Sequence, residues 1–177
     1  MRIIAGAHKG RTLKVPTWTG LRPTSDSLRE TLFNILAPRV PGARVLDAYA
    51  GTGAVALEAL SRGAALAVCV EQDRRARALI EDNRARVGEE GRCMIVGSDA
   101  RRALLSAIPG GPFDIVFLDP PYDAEGLDEV VKAGAAQRAE GGVLVLEHSS
   151  RRAAPAIDGT GPSRTVRAGD SALSFYS

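Results

Sequence analysis

The sequence predicts an α/β fold built on a doubly wound, mostly parallel sheet, and three observations carry that prediction. From residue 43 onward, short apolar runs alternate with helical stretches. The runs are near-continuous in Val, Leu, Ile, Cys and Phe instead of alternating with polar residues, which marks strands buried on both faces. Gly63 and Gly88 follow the first two of these helical stretches, where a glycine can close a helix. Right-handed crossovers between parallel strands then put helices on both faces of the sheet.

The opening RIIAGAHKGRTLKVP holds two short β-like runs, 2–5 and 12–15, around a glycine-containing turn, and predicts a hairpin. In GLRPTSDSLRETLFNIL, Ser25 or Asp26 can cap a helix, and Leu28, Leu32, Ile35 and Leu36 share one face of it. Pro38 and Pro41 end that helix. Then strands ARVLDAYA, LAVCVEQD, CMIVGSD and FDIVFLD are each followed by a helix: GAVALEALSRGA, RRARALIEDNRARVG, ARRALLSAI and AEGLDEVVKAGAAQ. GGVLVLEHSS is a fifth strand. Glycine and proline crowd a loop over 155–162, and SRTVRAG and SALSFYS read as a final strand pair around Gly169-Asp170. One domain is expected over 1–177: a basic hairpin (1–20), a leading helix (21–38) and the α/β core (43–177).

The 177 residues are 45% hydrophobic and 25% charged, ordinary for a soluble globular chain. No apolar run approaches the length of a membrane span, and no secretory leader is visible, so a cytoplasmic protein is expected. The cysteines, Cys69 and Cys93, sit in apolar runs without a CxxC partner and read as reduced packing residues. The histidines are His8 and His148, too few for a His/Cys metal cluster. A formal charge of +2 implies little, but its distribution does more. Arg2, Lys9, Arg11, Lys14 and Arg22 precede the first acid, Asp26. A basic arm on a near-neutral body suits a polyanion, although a solvated charged hairpin would look the same.

In doubly wound sheets ligands bind beyond the carboxyl ends of the strands. Here four successive ends carry an acid: Asp47, Glu71, Asp99 and Asp119. Gly51 and Gly53 let the chain turn tightly, and the helix after them aims free N–H groups at a ligand. Glu71 follows by about twenty residues, the spacing at which an acid holds ribose hydroxyls. Asp99 is suited to an adenine amino group. Gly51 to Ala56 also satisfies the GxGxxA dinucleotide pattern. Asp47, however, would repel a pyrophosphate and attract an amino group. S-adenosylmethionine has an amino group, a ribose and an adenine, and no phosphate. The alternative is that the glycines merely turn the chain and the acids cap helices.

FDIVFLDPPYDAEG places an acid and two prolines at the tip of an apolar strand. If this strand lies beside the first, Asp119 stands next to the cofactor's methyl group. Pro120 and Pro121 stiffen the turn, and Pro121 has no amide hydrogen to occupy the Pro120 carbonyl. Asp119 and that carbonyl could grip both hydrogens of a base amino group, with Tyr122 stacked on the base. Such a base must be flipped out or already unpaired. The alternative is a proline-stiffened strand exit with Tyr122 covering the core.

DAYAGTGAVALEALSRGA, VEQD and LDPPY, with the upstream RIIAG, GRTLKVP and GLRPTSDSLRETLFNIL, resemble the bacterial RsmD family over nearly the whole chain. The resemblance implies a class I S-adenosylmethionine-dependent methyltransferase fold, Rossmann-like, with the last strand antiparallel and an N-terminal hairpin added. It implies methylation of N2 of a guanine in 16S ribosomal RNA, guanine 966, within a small-subunit assembly particle. It implies cofactor contacts from Asp47, Ala50, Gly51, Thr52 and Gly53, from Glu71 and Gln72, from Asp99 and Ala100, and from Asp119. Asp119, Pro120, Pro121 and Tyr122 would form the catalytic motif, and Arg2, Lys9, Arg11, Lys14 and Arg22 would hold RNA. No membrane and no metal are implied, and a monomer is expected. The family often has a tyrosine-glycine pair before the last strand, where this chain has Ala168-Gly169. Three other readings stay open. An amino-methyltransferase on DNA adenine or protein glutamine commonly carries Asn in place of Asp119. An NAD-dependent dehydrogenase would leave the Asp-Pro-Pro-Tyr motif without a role. A non-catalytic RNA-binding module would tolerate loss of Asp119.

Overall fold

A computed structural model describes residues 1–21 and 24–177. Its strands are β1 (Arg44–Asp47), β2 (Leu66–Val70), β3 (Cys93–Val96), β4 (Phe113–Leu118), β5 (Arg138–Ser149), β6 (Arg164–Ala168) and β7 (Ser171–Tyr176). They form one sheet in the order β3-β2-β1-β4-β5-β7-β6. β1 to β5 pair in parallel, while β7 runs antiparallel to β5 and β6. The chain steps outward from β1 to β2 and β3, then crosses back to β4 on the other side of β1. That reversal is the topological switch point, where a crevice opens at the carboxyl ends.

Neighbouring residues of β1 show why the strands read as unbroken apolar runs. Val45 joins a core layer with α1 (Asp26–Leu36), α2 (Ala54–Ser61) and α3 (Arg74–Val87). Leu46 joins the opposite layer with α4 (Ala100–Leu104) and α5 (Leu127–Ala136). Both faces are covered, so neither side of a strand has to be polar. Cys69 and Cys93 are buried thiols on adjacent strands, their sulfurs 4.0 Å apart. No helix of the described residues is long and apolar enough to cross a membrane.

Ser25 caps α1, its hydroxyl accepting from the Leu28 amide at 3.2 Å. Leu28, Leu32 and Leu36 are buried as the spacing predicts, and Ile35 is half-buried. Phe33 and, unexpectedly for a charged residue, Arg29 are also buried. α4 ends at Leu104, short of the predicted 108. The Gln137 side-chain amide donates to the carbonyls of Leu104 and Ser106 at 2.8 and 3.0 Å, and so stops the helix.

The N-terminal hairpin differs most from expectation. The two runs do pair, but only briefly: Arg2 and Thr12 form an antiparallel bridge, and the amides of Ile3 and Leu13 donate to the carbonyls of Arg11 and Met1 at 3.0 Å each. The amides that would extend it are taken by the core. Those of Ile4 and Ala5 donate to the Glu58 carboxylate at 2.8 and 3.0 Å. That of Lys14 donates to Asn83 Oδ1 at 2.7 Å, and those of Ala7 and His8 go to Ser61. Glu58 is fully buried, paired with Arg62 at 2.7 Å and with Arg29 at 3.7 Å. The arm is thus docked on α2 and α3, the helices nearest the glycine turn.

Candidate active site

β1, β2, β4 and β5 deliver acids to one cavity of about 590 Å³ at their carboxyl ends. Asp47, Glu71, Asp119 and Glu147 all line it. The turn after β1 forms its floor through Tyr49, Ala50, Gly51 and Thr52. Gly51 and Gly53 adopt φ of 54° and 77°, left-handed values that a side chain would strain. A Cβ at Gly51 would also lie 3.3 Å from the Leu21 side chain, which lines the same cavity. Trp18 and Leu21, which precede α1, and Leu28 of α1 line the cavity as well.

Asp47 is the least hydrated of these acids. It is 2% exposed, and its Oδ1 has no hydrogen-bond partner. Burial pushes its carboxyl up to about 7, against a favourable hydrogen bond from the Tyr49 amide and with further upward pressure from Glu71 and Glu147. A buried carboxylate oxygen with nothing to accept from suits a cationic donor brought by a ligand. Glu71 is held still from both sides. Its Oε2 accepts from the Gly51 amide and its Oε1 from the Asp73 amide, each at 2.9 Å. Each oxygen keeps a second lone pair for a hydroxyl. A cavity so rich in carboxylates disfavours a phosphate and suits a cationic nucleoside, a description that S-adenosylmethionine fits.

β4 pairs directly with β1, Asp47 opposite Phe117, so Asp119 stands beside the glycine turn. Pro120, Pro121 and Tyr122 continue the same wall. The Tyr122 hydroxyl is hydrogen-bonded to Ser171 Oγ, which donates to Glu147 Oε1 at 3.3 Å. This chain of hydrogen bonds fixes the phenol ring from β7 and β5.

Other predicted residues fall differently. Gln72 lines the cavity; Gly53, Asp99 and Ala100 do not. Gly53 is the N-cap position of α2. Asp99 caps α4 through the Arg102 amide at 3.0 Å, the helix-capping alternative for these acids. Of the arm, Arg2, Lys9 and Arg11 are exposed, and none of them enters an ion pair among the described residues. Lys14 pairs with Asp82 at 2.6 Å. Arg22 lies outside the described residues. Among the described residues, no cluster of His, Cys, Asp or Glu could hold a metal ion.

Sequence reasoning missed Glu147, Trp18 and Asn83. Glu147 carries the same signal as the four acids found, an acid near the tip of an apolar strand in VLVLEHSS. Asn83 is fully buried and donates to the carbonyls of Thr52 and Lys14 at 3.0 and 3.1 Å, tying the arm to the glycine turn.

A mostly parallel sheet of this order, with its final strand reversed, is the Rossmann-like methyltransferase fold. The chain belongs to the RsmD family within it: the family model described as conserved hypothetical protein 95 matches residues 1–177. The ribosomal RNA small subunit methyltransferase D of Escherichia coli K12 is 47% identical over 131 residues, 74% of this chain and 65% of that protein. The match therefore spans just under two thirds of that relative. YlbH of Bacillus subtilis, a putative rRNA methyltransferase by name, is 36% identical over 151 residues, 84% of this chain and 82% of its own length. The solved structure of Escherichia coli yhhF superposes with a TM-score of 0.84 at 38% identity, covering 99% of this chain and 96% of that one.

Proposed function

We propose that this chain transfers a methyl group from S-adenosylmethionine to N2 of a guanine in 16S ribosomal RNA, guanine 966, in a small-subunit assembly particle. The observation that carries this reading is one cavity shared by the unpartnered carboxylate oxygen of Asp47 and the Asp119–Tyr122 motif. A site for a cationic nucleoside and a grip for an amino group lie on adjacent strands. The named relatives supply the class of substrate.

When bound, S-adenosylmethionine supplies an electrophilic methyl carbon on a sulfonium. Asp47 would hold its amino group and Glu71 its ribose hydroxyls, beside the backbone of the glycine turn. Asp119 and the Pro120 carbonyl accept the two amino hydrogens of guanine and leave the nitrogen lone pair aimed at that carbon. The chemistry the cofactor would supply there is transfer of that carbon to the nitrogen, with the electron pair of the carbon–sulfur bond left on sulfur. The Asp119 carboxylate faces the positive charge growing on nitrogen and stabilises it before the proton leaves to solvent. Tyr122, anchored by Ser171, presents its ring to the base. Arg2, Lys9 and Arg11 contact RNA phosphates.

Asp119→Ala tests the reading. Methyl transfer to 16S RNA or small subunits should fall by about 10²–10³-fold. The calorimetric constant for S-adenosylhomocysteine should stay within a few fold. Turnover near the parent level removes Asp119 from the chemistry.

A further inference from the structure

We propose that Trp18, braced by Arg75, is a binding residue for the nucleoside end of the cofactor. The inference rests on the reading of the cavity as a cofactor site. Trp18 is the only tryptophan in the chain and lies outside the helices and strands, in the segment between arm and α1. It borders the cavity together with Gln72, Asp73 and Arg75, the residues that follow the ribose acid Glu71.

Three interactions join these residues into one unit. The Arg75 guanidinium carbon lies 4.9 Å from the centre of the Trp18 ring system. The same guanidinium reaches both carboxylate oxygens of Asp73, at 3.1 and 3.4 Å. The Asp73 amide donates to Glu71 at 2.9 Å. The carboxylate assigned to the ribose is therefore linked through two residues to an indole that lines the same cavity. A guanidinium stacked on an aromatic ring holds that ring in place.

The chemistry of the rim selects the ligand. The cavity's other aromatic side chains, Tyr49, Phe117 and Tyr122, belong to β4 and to the turns after β1 and β4, whereas Trp18 is the one joined to the residues that follow Glu71. Trp18 is the large aromatic surface near the Glu71 end, and base stacking on an aromatic side chain is favourable for any purine. Positioned there, it shields the nucleoside from water and slows its release.

The sole tryptophan also reports on its own site. Titrating the protein with S-adenosylhomocysteine should change tryptophan emission, with the dissociation constant found by calorimetry. Trp18→Ala should weaken that constant about tenfold, mostly through faster release. Trp18→Phe should recover most of the loss, and Arg75→Ala should cost about threefold while shifting the emission of the free protein. Circular dichroism of each variant checks that the fold survives. Heat of binding in the parent with an unchanged constant in both Trp18→Ala and Arg75→Ala overturns the inference alone. Weaker RNA binding with unchanged cofactor binding also overturns it, by assigning Trp18 to the substrate. No heat in the parent overturns the cofactor reading, and the inference with it.

Discussion

Lowering the pH should loosen the cofactor's grip through one residue, Asp47. Its carboxyl is pushed up to about 7, first by burial and then by Glu71 and Glu147. In an unfolded chain it would titrate near 3.8. The apo fold therefore carries a penalty that grows as pH rises from about 4 to about 7. A ligand ammonium beside Asp47 has the opposite preference, since it needs the ionised form. With a midpoint of about 7, roughly three quarters of Asp47 is ionised at about pH 7.5 and roughly 3% at about pH 5.5. Affinity for S-adenosylhomocysteine should fall about 25-fold between those pH values, about 1.9 kcal/mol. Calorimetry in two buffers of different ionisation enthalpy should show proton release on binding near neutral pH. Asp47→Asn should bind weakly at every pH and converge with the parent at the acid end. The variant's apo form should also melt a few degrees higher than the parent's at about pH 8, because the buried charge is gone. A parent affinity that stays flat over this range, or an Asn variant that binds as tightly as the parent at about pH 7.5, would refute the electrostatic account of the site.

Two other outcomes follow from the docked arm. Lys9→Glu with Arg11→Glu should weaken RNA binding and reduce the slope of log affinity against log salt by about 1–2, since two cations no longer displace counterions from phosphates, read from binding isotherms over a salt series. An unchanged slope takes these residues out of the RNA site. Gly6→Ala should undock the arm, because the added carbon would lie 1.9 Å from the Ser61 carbonyl oxygen at a φ of 85°. Its expected cost is about 2–3 kcal/mol in thermal unfolding, and an unaltered melting curve with intact protection of the arm from proteolysis would contradict the close approach.

Most of the architecture is legible in the sequence because its signals are local. Unbroken apolar runs mark the buried strands, and Gly88 ends α3 in the left-handed conformation expected of it. The acids at the strand tips are legible because an acid is costly at the end of an apolar run unless it is used. Glu147 carries the same mark on the fifth strand. Arg29, Glu58 and Asn83 cannot be found that way. A charged or amide residue on a helix ordinarily reads as solvated, and here each is buried by partners from another part of the chain. The hairpin departs from expectation for the same reason. Its residues are β-like and pair around Arg2 and Thr12, but the amides of Ile4 and Ala5 are satisfied by a side chain more than fifty positions away.

Those long separations have a consequence for how the protein is made and manipulated. Ile4 waits for Glu58, 54 residues later, and His8 for Glu89, 81 residues later. At a synthesis rate of about 5–20 residues per second, the first segment leaves the translating ribosome about 4–16 s before its last anchor exists. During that interval it is a loose cationic tail, and only the finished α2 and α3 convert it into a fixed surface. Cutting it away would strand a buried glutamate without its amide donors, so a truncated protein would be a damaged core. Charge reversals at Lys9 and Arg11 leave those anchors intact and are the sounder way to test the proposed nucleic-acid grip apart from folding.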